Sequence, residues 1–261
     1  MSLDLHVASR GHGPRLVLVH GFTQTGSSWA RVAAELEDSF EIATVELPGH
    51  GRSPLPEPGS GLEQAARALG TAGGQAAYVG YSLGGRCCLQ LALEAPGLVE
   101  RLVIVGAHPG IEDAQERKAR RDADEQRAAD IERGGDAGLG EFIEAWLAGP
   151  LFAHLGPEQA DRSSRLSNTA AGLASSLTTV GTGAQEPLWE RLGELEMPVL
   201  VVVGSADAKF GPIAERTALA IGQNARLAVV AGAGHAVCFE QPGSFVALLR
   251  EFLAAGAPGE V

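Results

Sequence analysis

Three residues far apart in the chain have the types needed for one piece of chemistry, an activated serine oxygen. Ser82 lies in Gly80-Tyr81-Ser82-Leu83-Gly84, the G-x-S-x-G form that presents a hydroxyl on a tight strand-to-helix turn. Asp207 lies in VVVGSADAKF and His235 in AGAGHAVCFEQP. A serine hydroxyl is inert until an imidazole takes its proton, and the imidazole needs a carboxylate to orient it. The chain order serine, aspartate, histidine is the order such a triad takes on an α/β sheet. G-x-S-x-G also arises by chance in a chain with 35 glycines. A lone loop histidine is more often a surface residue, and an aspartate after a strand is often only a cap. The three together, in order and each after an expected strand, favour the catalytic reading.

Such a serine also needs donors for the negative charge that its partner develops. His20-Gly21-Phe22 closes an apolar strand-like run, and Leu83 opens the helix after the serine. The backbone N–H groups of Phe22 and Leu83 are therefore the expected oxyanion hole, with the helix N-terminus favouring charge there. His20, and His50 in the turn-rich PGHGRS, read as structural histidines. Arg86 follows the serine by one helical turn. Helical side chains lean toward the N-terminus, so its guanidinium can reach the pocket floor. A plain helix arginine paired with a nearby carboxylate is the competing reading.

The elements that must hold these residues follow from apolar patterning. Leu16 to Val19, Ala76 to Val79, Leu102 to Val105 and Val199 to Val203 read as buried parallel strands, with Glu41 to Leu47 and Leu227 to Val230 as weaker members. Helices are expected at Ser28 to Leu36, Leu62 to Leu69, Leu83 to Glu94, Ala214 to Ile221 and Ser244 to Ala254. Alternating strands and helices specify an α/β fold with a mostly parallel, doubly wound sheet, whose ligands bind at the carboxyl ends of the strands. His108 to about Arg191 has no convincing strand. It reads as a helical cap inserted between core strands, giving a core at 1–107 and 192–261 around a cap at 108–191. The tail AAGAPGEV reads as frayed.

Composition narrows the partners. The chain has 261 residues, is 45% hydrophobic and carries a formal net charge of -12, which argues against nucleic acid or an anionic membrane as partner. An anionic ligand would need positive charge gathered locally. Cys87, Cys88 and Cys238 form no disulfide framework, no ligand-spaced Cys/His cluster suggests a metal, and no apolar run is long enough for a signal peptide or a membrane span. The expectation is a cytoplasmic protein, a monomer or small homo-oligomer.

HGF, PGHGRS, GYSLGG, the Asp207 loop and the GAGH loop together resemble the α/β-hydrolase superfamily over nearly the whole chain. That fold hosts many reactions. HGFTQTGSSW, GYSLGGR, the turn and helix GAHPGIEDAQERKARRDADEQRA, FIEAWLAGPLF and the AKF after Asp207 resemble one branch. This is the 2-succinyl-6-hydroxy-2,4-cyclohexadiene-1-carboxylate synthases of menaquinone biosynthesis. The resemblance implies a lyase that expels pyruvate from 2-succinyl-5-enolpyruvyl-6-hydroxy-3-cyclohexene-1-carboxylate, with Ser82 as base and no metal or organic cofactor. It implies a small anionic carboxylate substrate, held by Arg86 and Arg120, with Arg117 a weaker third. Tyr81 would add a donor or wall the pocket, and Trp146 would pack on the substrate ring. Glu46 stands where relatives carry aspartate, and AVCF after His235 is apolar where a basic residue would help an anion. The alternative is a serine hydrolase (carboxylesterase, thioesterase or C-C hydrolase) with Ser82 as covalent nucleophile. A non-catalytic ligand-binding relative would have no need to keep the whole triad.

Overall fold

The computed structural model describes residues 3–57 and 59–254. In chain order the elements are β1 (Val7–Gly11), β2 (Arg15–Val19), α1 (Ala30–Leu36), β3 (Glu41–Val45), α2 (Leu62–Gly73), β4 (Ala76–Tyr81), α3 (Leu83–Glu94) and β5 (Val99–Val105). Then come α4 (Ala114–Leu147), α5 (Arg162–Arg165), α6 (Ala170–Val180), β6 (Val199–Gly204), α7 (Gly211–Ile221), β7 (Ala225–Val230), α8 (Val237–Glu240) and α9 (Pro242–Ala254). The sheet order is β1-β3-β2-β4-β5-β6-β7. Every pairing is parallel except β1 with β3. β1 was not expected. Its VASRG is polar and largely exposed, as an edge strand with water on both faces can be. The tail AAGAPGEV lies, from residue 255 onward, outside the described residues.

The apolar runs become central strands because both of their faces are covered. Val17, Val19, Leu102 and Ile104 pack with Leu69 of α2 and Leu83, Cys87 and Leu91 of α3. Leu16, Leu18, Val103 and Val105 face the other way, against Leu36 of α1 and Phe245, Leu249 and Phe252 of α9. Full burial of one such side chain stabilises by about 1.5–3 kcal/mol, so these two layers hold the platform on which the loops stand. All three cysteines are free and buried.

No strand occurs between β5 and β6 among the described residues. α4 opens on Asp113, whose carboxylate accepts from the N–H groups of Gln115 and Glu116 (3.0 and 2.8 Å), and it kinks at Gly135 (φ 57°). It packs on α6 through Ile131, Leu139, Ile143, Leu173 and Leu177. This helical layer is tied to the core by polar contacts. Asn168 Nδ2 donates to Thr23 O (2.7 Å) and its Oδ1 accepts from Gly51 N (2.9 Å). Buried Arg165 donates to Thr23 Oγ1, and Thr25 Oγ1 meets Ser164 Oγ at 2.7 Å. The backbones of Gly49 and Gly172 come close enough that a side chain at either would strike the other.

Candidate active site

The turn around Ser82 explains its flanking glycines. Ser82 has φ 51° and ψ -107°, a conformation that a non-glycine residue adopts only under constraint. Its N–H is held by Val105 O at 2.8 Å. A Cβ at Gly80 would strike Gly84 O, and one at Gly84 would strike Val19 O. Small residues on both sides therefore let α3 start hard against β2 and β4. As the first residue of α3, Leu83 offers a backbone N–H with no intrahelical partner.

Asp207 follows β6 and His235 follows β7, and their loops bring the side chains together. His235 Nδ1 lies 2.9 Å from Asp207 Oδ2, with both groups buried. Asp207 Oδ1 accepts from Phe210 N at 3.0 Å. Burial raises the Asp207 carboxyl, but the bonds from His235 and Phe210 outweigh it and leave it below its ordinary value. The imidazole is wedged between Phe210 (centroids 4.4 Å apart) and Tyr81 (5.3 Å). Its Nε2 is buried with no hydrogen-bond partner, so it is available to take a proton. Gly106 lies directly against the ring: a Cβ there would be 2.8 Å from His235 Cε1.

Residues 20–25 form the opposing loop. Gly21 N–H donates to Gln24 Oε1 (3.0 Å) and Gln24 N–H to Gly21 O (3.1 Å), closing the turn that carries Phe22. Thr23 follows at φ 69°. Its strain is held by the bonds from Arg165 and Asn168. His20 Nε2 accepts from Leu47 N (3.0 Å) while Nδ1 donates to Gly21 O (2.8 Å). Those bonds occupy both ring nitrogens of His20. His50 Nδ1 meets Pro48 O at 3.1 Å. Both rings are buried, and burial above all lowers both pKa values, that of His50 to about 4. Glu46 accepts from Arg52 N at 2.7 Å and so organises the PGHGRS loop.

A cavity of about 290 Å³ opens over Ser82, with Phe22, Leu83 and Gly106 at its base and Arg120, Arg127, Trp146 and Ser176 from the helical layer above. Arg86 also lines it. This guanidinium is buried, donates to Gln185 Oε1 (2.9 Å) and is lowered by burial to about 10, so it stays cationic at neutral pH. Arg120 Nε and Arg127 Nη1 share the buried Asp124 carboxylate at 2.9 and 3.1 Å. Arg127 also lies over the Trp146 ring, 5.7 Å from its centroid.

Two of the expected residues lie outside the cavity lining. Arg117 does not line the cavity; sitting in the first turn of α4, it folds back and donates to Ile111 O (2.7 Å) and Glu112 O (3.1 Å). Tyr81 is buried behind His235 and does not line the cavity either. Polar lining residues that had not been singled out include His108, Arg127, Ser176 and Lys209. Lys209 had a signal, the AKF after Asp207. Arg127 had one too, since it falls seven residues after Arg120 on the same helix face.

The chain matches the α/β hydrolase fold family over residues 14–242. It is 32% identical over 249 residues to the 2-succinyl-6-hydroxy-2,4-cyclohexadiene-1-carboxylate synthase of Enterobacter sp. (strain 638), covering 92% of each chain. The chain belongs to this synthase family. The enzyme of the same name from Salmonella agona is 32% identical, over 95% of this chain and 97% of the relative. The structure of MenH from S. aureus superposes with a TM-score of 0.87 at 27% identity, covering 95% of this chain and 97% of that one. A thermophilic esterase from Thermogutta terrifontis, solved with malate bound, gives 0.81 at 25% identity over 95% and 92%.

Proposed function

We infer that this chain is a carbon–oxygen lyase that eliminates pyruvate from 2-succinyl-5-enolpyruvyl-6-hydroxy-3-cyclohexene-1-carboxylate to give 2-succinyl-6-hydroxy-2,4-cyclohexadiene-1-carboxylate. One observation carries the substrate class. Among the described residues, four cationic side chains (Arg86, Arg120, Arg127 and Lys209) and no carboxylate line the cavity, in a chain of net charge -12. Charge-assisted hydrogen bonds from such groups contribute about 1.5–3 kcal/mol each, enough for two or three to overcome the acidic global field.

Comparing the two rings fixes the electron flow. The C2–H proton, acidified by the succinyl carbonyl, is lost. The ring double bond shifts, and the C5–O bond breaks to release the enolate of pyruvate, which is protonated in turn by the His235 imidazolium. Ser82 Oγ is the proposed base at C2, passing the proton to His235 Nε2 while Asp207 holds Nδ1 and stabilises the imidazolium. The enolate oxygen is met by the N–H groups of Phe22 and Leu83. Arg86 and Arg120 bind carboxylates and so hold the C2–H at the serine. The Trp146 Nε1 and Ser176 Oγ atoms are buried without partners, and a substrate oxygen would satisfy each. The organisation that goes with this chemistry is a core of 1–107 and 192–261 with a cap of 108–191. The setting that fits it is cytoplasmic, with the protein a monomer or small homo-oligomer. Among the described residues no helix is long and apolar enough to cross a membrane.

Purified protein supplied with the enolpyruvyl substrate should release pyruvate stoichiometrically with the diene chromophore. Rapid turnover of nitrophenyl esters with acylation of Ser82, and no pyruvate, would overturn the lyase in favour of a hydrolase.

A further inference from the structure

Among the described residues, His108 is the one imidazole that lines the cavity, and the elimination as written above gives it no part. It is half-buried in the turn that follows β5, and Gly110 N–H donates to its Nδ1 at 3.0 Å. An imidazole nitrogen that accepts a hydrogen bond carries no proton, so the ring proton of the neutral form is on Nε2. The backbone around Gly110 is tied down by further contacts. Gly110 has φ 118°, and a Cβ on it would lie 2.7 Å from Pro187 Cα. Its carbonyl accepts from Trp189 Nε1 (2.7 Å), and Leu188 N–H donates to Pro109 O (2.8 Å). The Trp189 ring meets the imidazole edge-on at 6.0 Å. Backbone sets the tautomer and the Trp189 ring packs against the imidazole, while no hydrogen bond engages Nε2 among the described residues.

We propose that His108 is a substrate-binding residue, which donates its Nε2–H to an oxygen of the anionic substrate on the side of the cavity lined by Arg86, Arg120 and Lys209. The charges around it fit a neutral donor. Burial, and then Arg86, Lys209 and Arg120, lower its pKa to about 4 against the weaker opposite pull of Glu112. A fixed neutral donor among cations adds direction where the arginines add charge: it distinguishes an oxygen at one position from a carboxylate anywhere nearby.

The inference rests on the lyase assignment, and the tests separate the two. Pyruvate release by His108→Ala should show a KM raised about tenfold, the size expected for one lost hydrogen bond to a charged acceptor, with kcat within threefold. His108→Gln, whose amide nitrogen can reach the place of Nε2, should restore most of the loss. An unchanged KM in His108→Ala overturns the proposal, as does His108→Gln behaving no better than alanine. In ring-nitrogen NMR spectra His108 should hold the Nε2–H tautomer without titrating from pH 5 to 8. Its Nε2–H resonance should move downfield when substrate is added to the Ser82→Ala variant, where binding is observed without turnover. An Nδ1–H tautomer, or a resonance that ignores substrate, also overturns it. Failure of the wild type to release pyruvate removes the lyase assignment instead.

Discussion

The Arg86 guanidinium donates to Gln185 Oε1 at 2.9 Å across 99 residues of sequence, joining the helix that begins beside Ser82 to the strand-free segment above it. Both side chains are buried, and Gln185 Nε2 has no partner. Gln185 therefore aims the arginine without neutralising it, whereas a carboxylate there would cancel its charge.

Arg86→Ala should raise KM for the acidic substrate by about tenfold to a hundredfold, the value of one or two charge-assisted bonds. Gln185→Glu should also weaken binding, although it keeps the acceptor, because the new carboxylate competes with the substrate for the same cation. Steady-state pyruvate release measures both.

Ser82→Ala should lose about 10³-fold or more in kcat while substrate affinity, read by calorimetry, stays within a few-fold. A base that only abstracts a proton contributes to the transition state and little to the ground state. Mass spectrometry of the wild type during turnover should find no acylated Ser82.

Gly106→Ala tests the histidine's support. The added Cβ would sit 2.8 Å from Cε1 and 2.9 Å from Nδ1 of His235, at a backbone φ of 55°. Displacing the ring by several tenths of an ångström should lower kcat by about ten- to a hundredfold, with little change in KM.

Asn168→Ala removes a side chain that joins Thr23 O, Arg165 O and Gly51 N. Leaving such buried groups unpaired costs about 1–3 kcal/mol each, so the melting temperature should fall by roughly 5–10 °C. With Thr23 less constrained, kcat should fall more than KM rises, measured well below the new transition.

Acid should unfold the protein through its histidines. His20, His50 and His108 all have folded pKa values lowered below 6.5, the last two to about 4. Between pH 6.5 and 4 the unfolded chain binds protons at these rings that the folded chain refuses. Their contribution is therefore full above pH 6.5 and is lost as pH falls toward 4, at up to about 1.4 kcal/mol per pH unit for each ring. Denaturant titrations at pH 7, 6 and 5 should show that decline, and His50→Asn should flatten it by about a third.

The legible parts of this protein were those that local chemistry dictates. Valine-rich runs became central strands because only a two-sided burial suits them, and the elbow glycines marked a place where backbones must touch. β1 was illegible because VASRG has one face against nothing and owes its conformation to pairing with β3. The pairing of Asp207 with His235 was readable from order and loop position. The cation set was only half readable: Arg86 and Arg120 were named, while Arg127 showed only in its spacing from Arg120 and Lys209 only in the AKF after Asp207. Arg117 has the right spacing for the same face. Its place in the first turn of α4 instead lets it reach the carbonyls of Ile111 and Glu112, and that competing attraction wins.

The bonds from Arg165 and Asn168 to Thr23 span 142 and 145 residues. During synthesis the Ser82 turn emerges long before these partners exist, and contacts so far apart in sequence slow assembly. The Ser82 turn can thus be built without its counterpart loop being fixed. Activity during refolding should consequently appear later than the sheet does, with the recovery of the Thr23 geometry setting the lag.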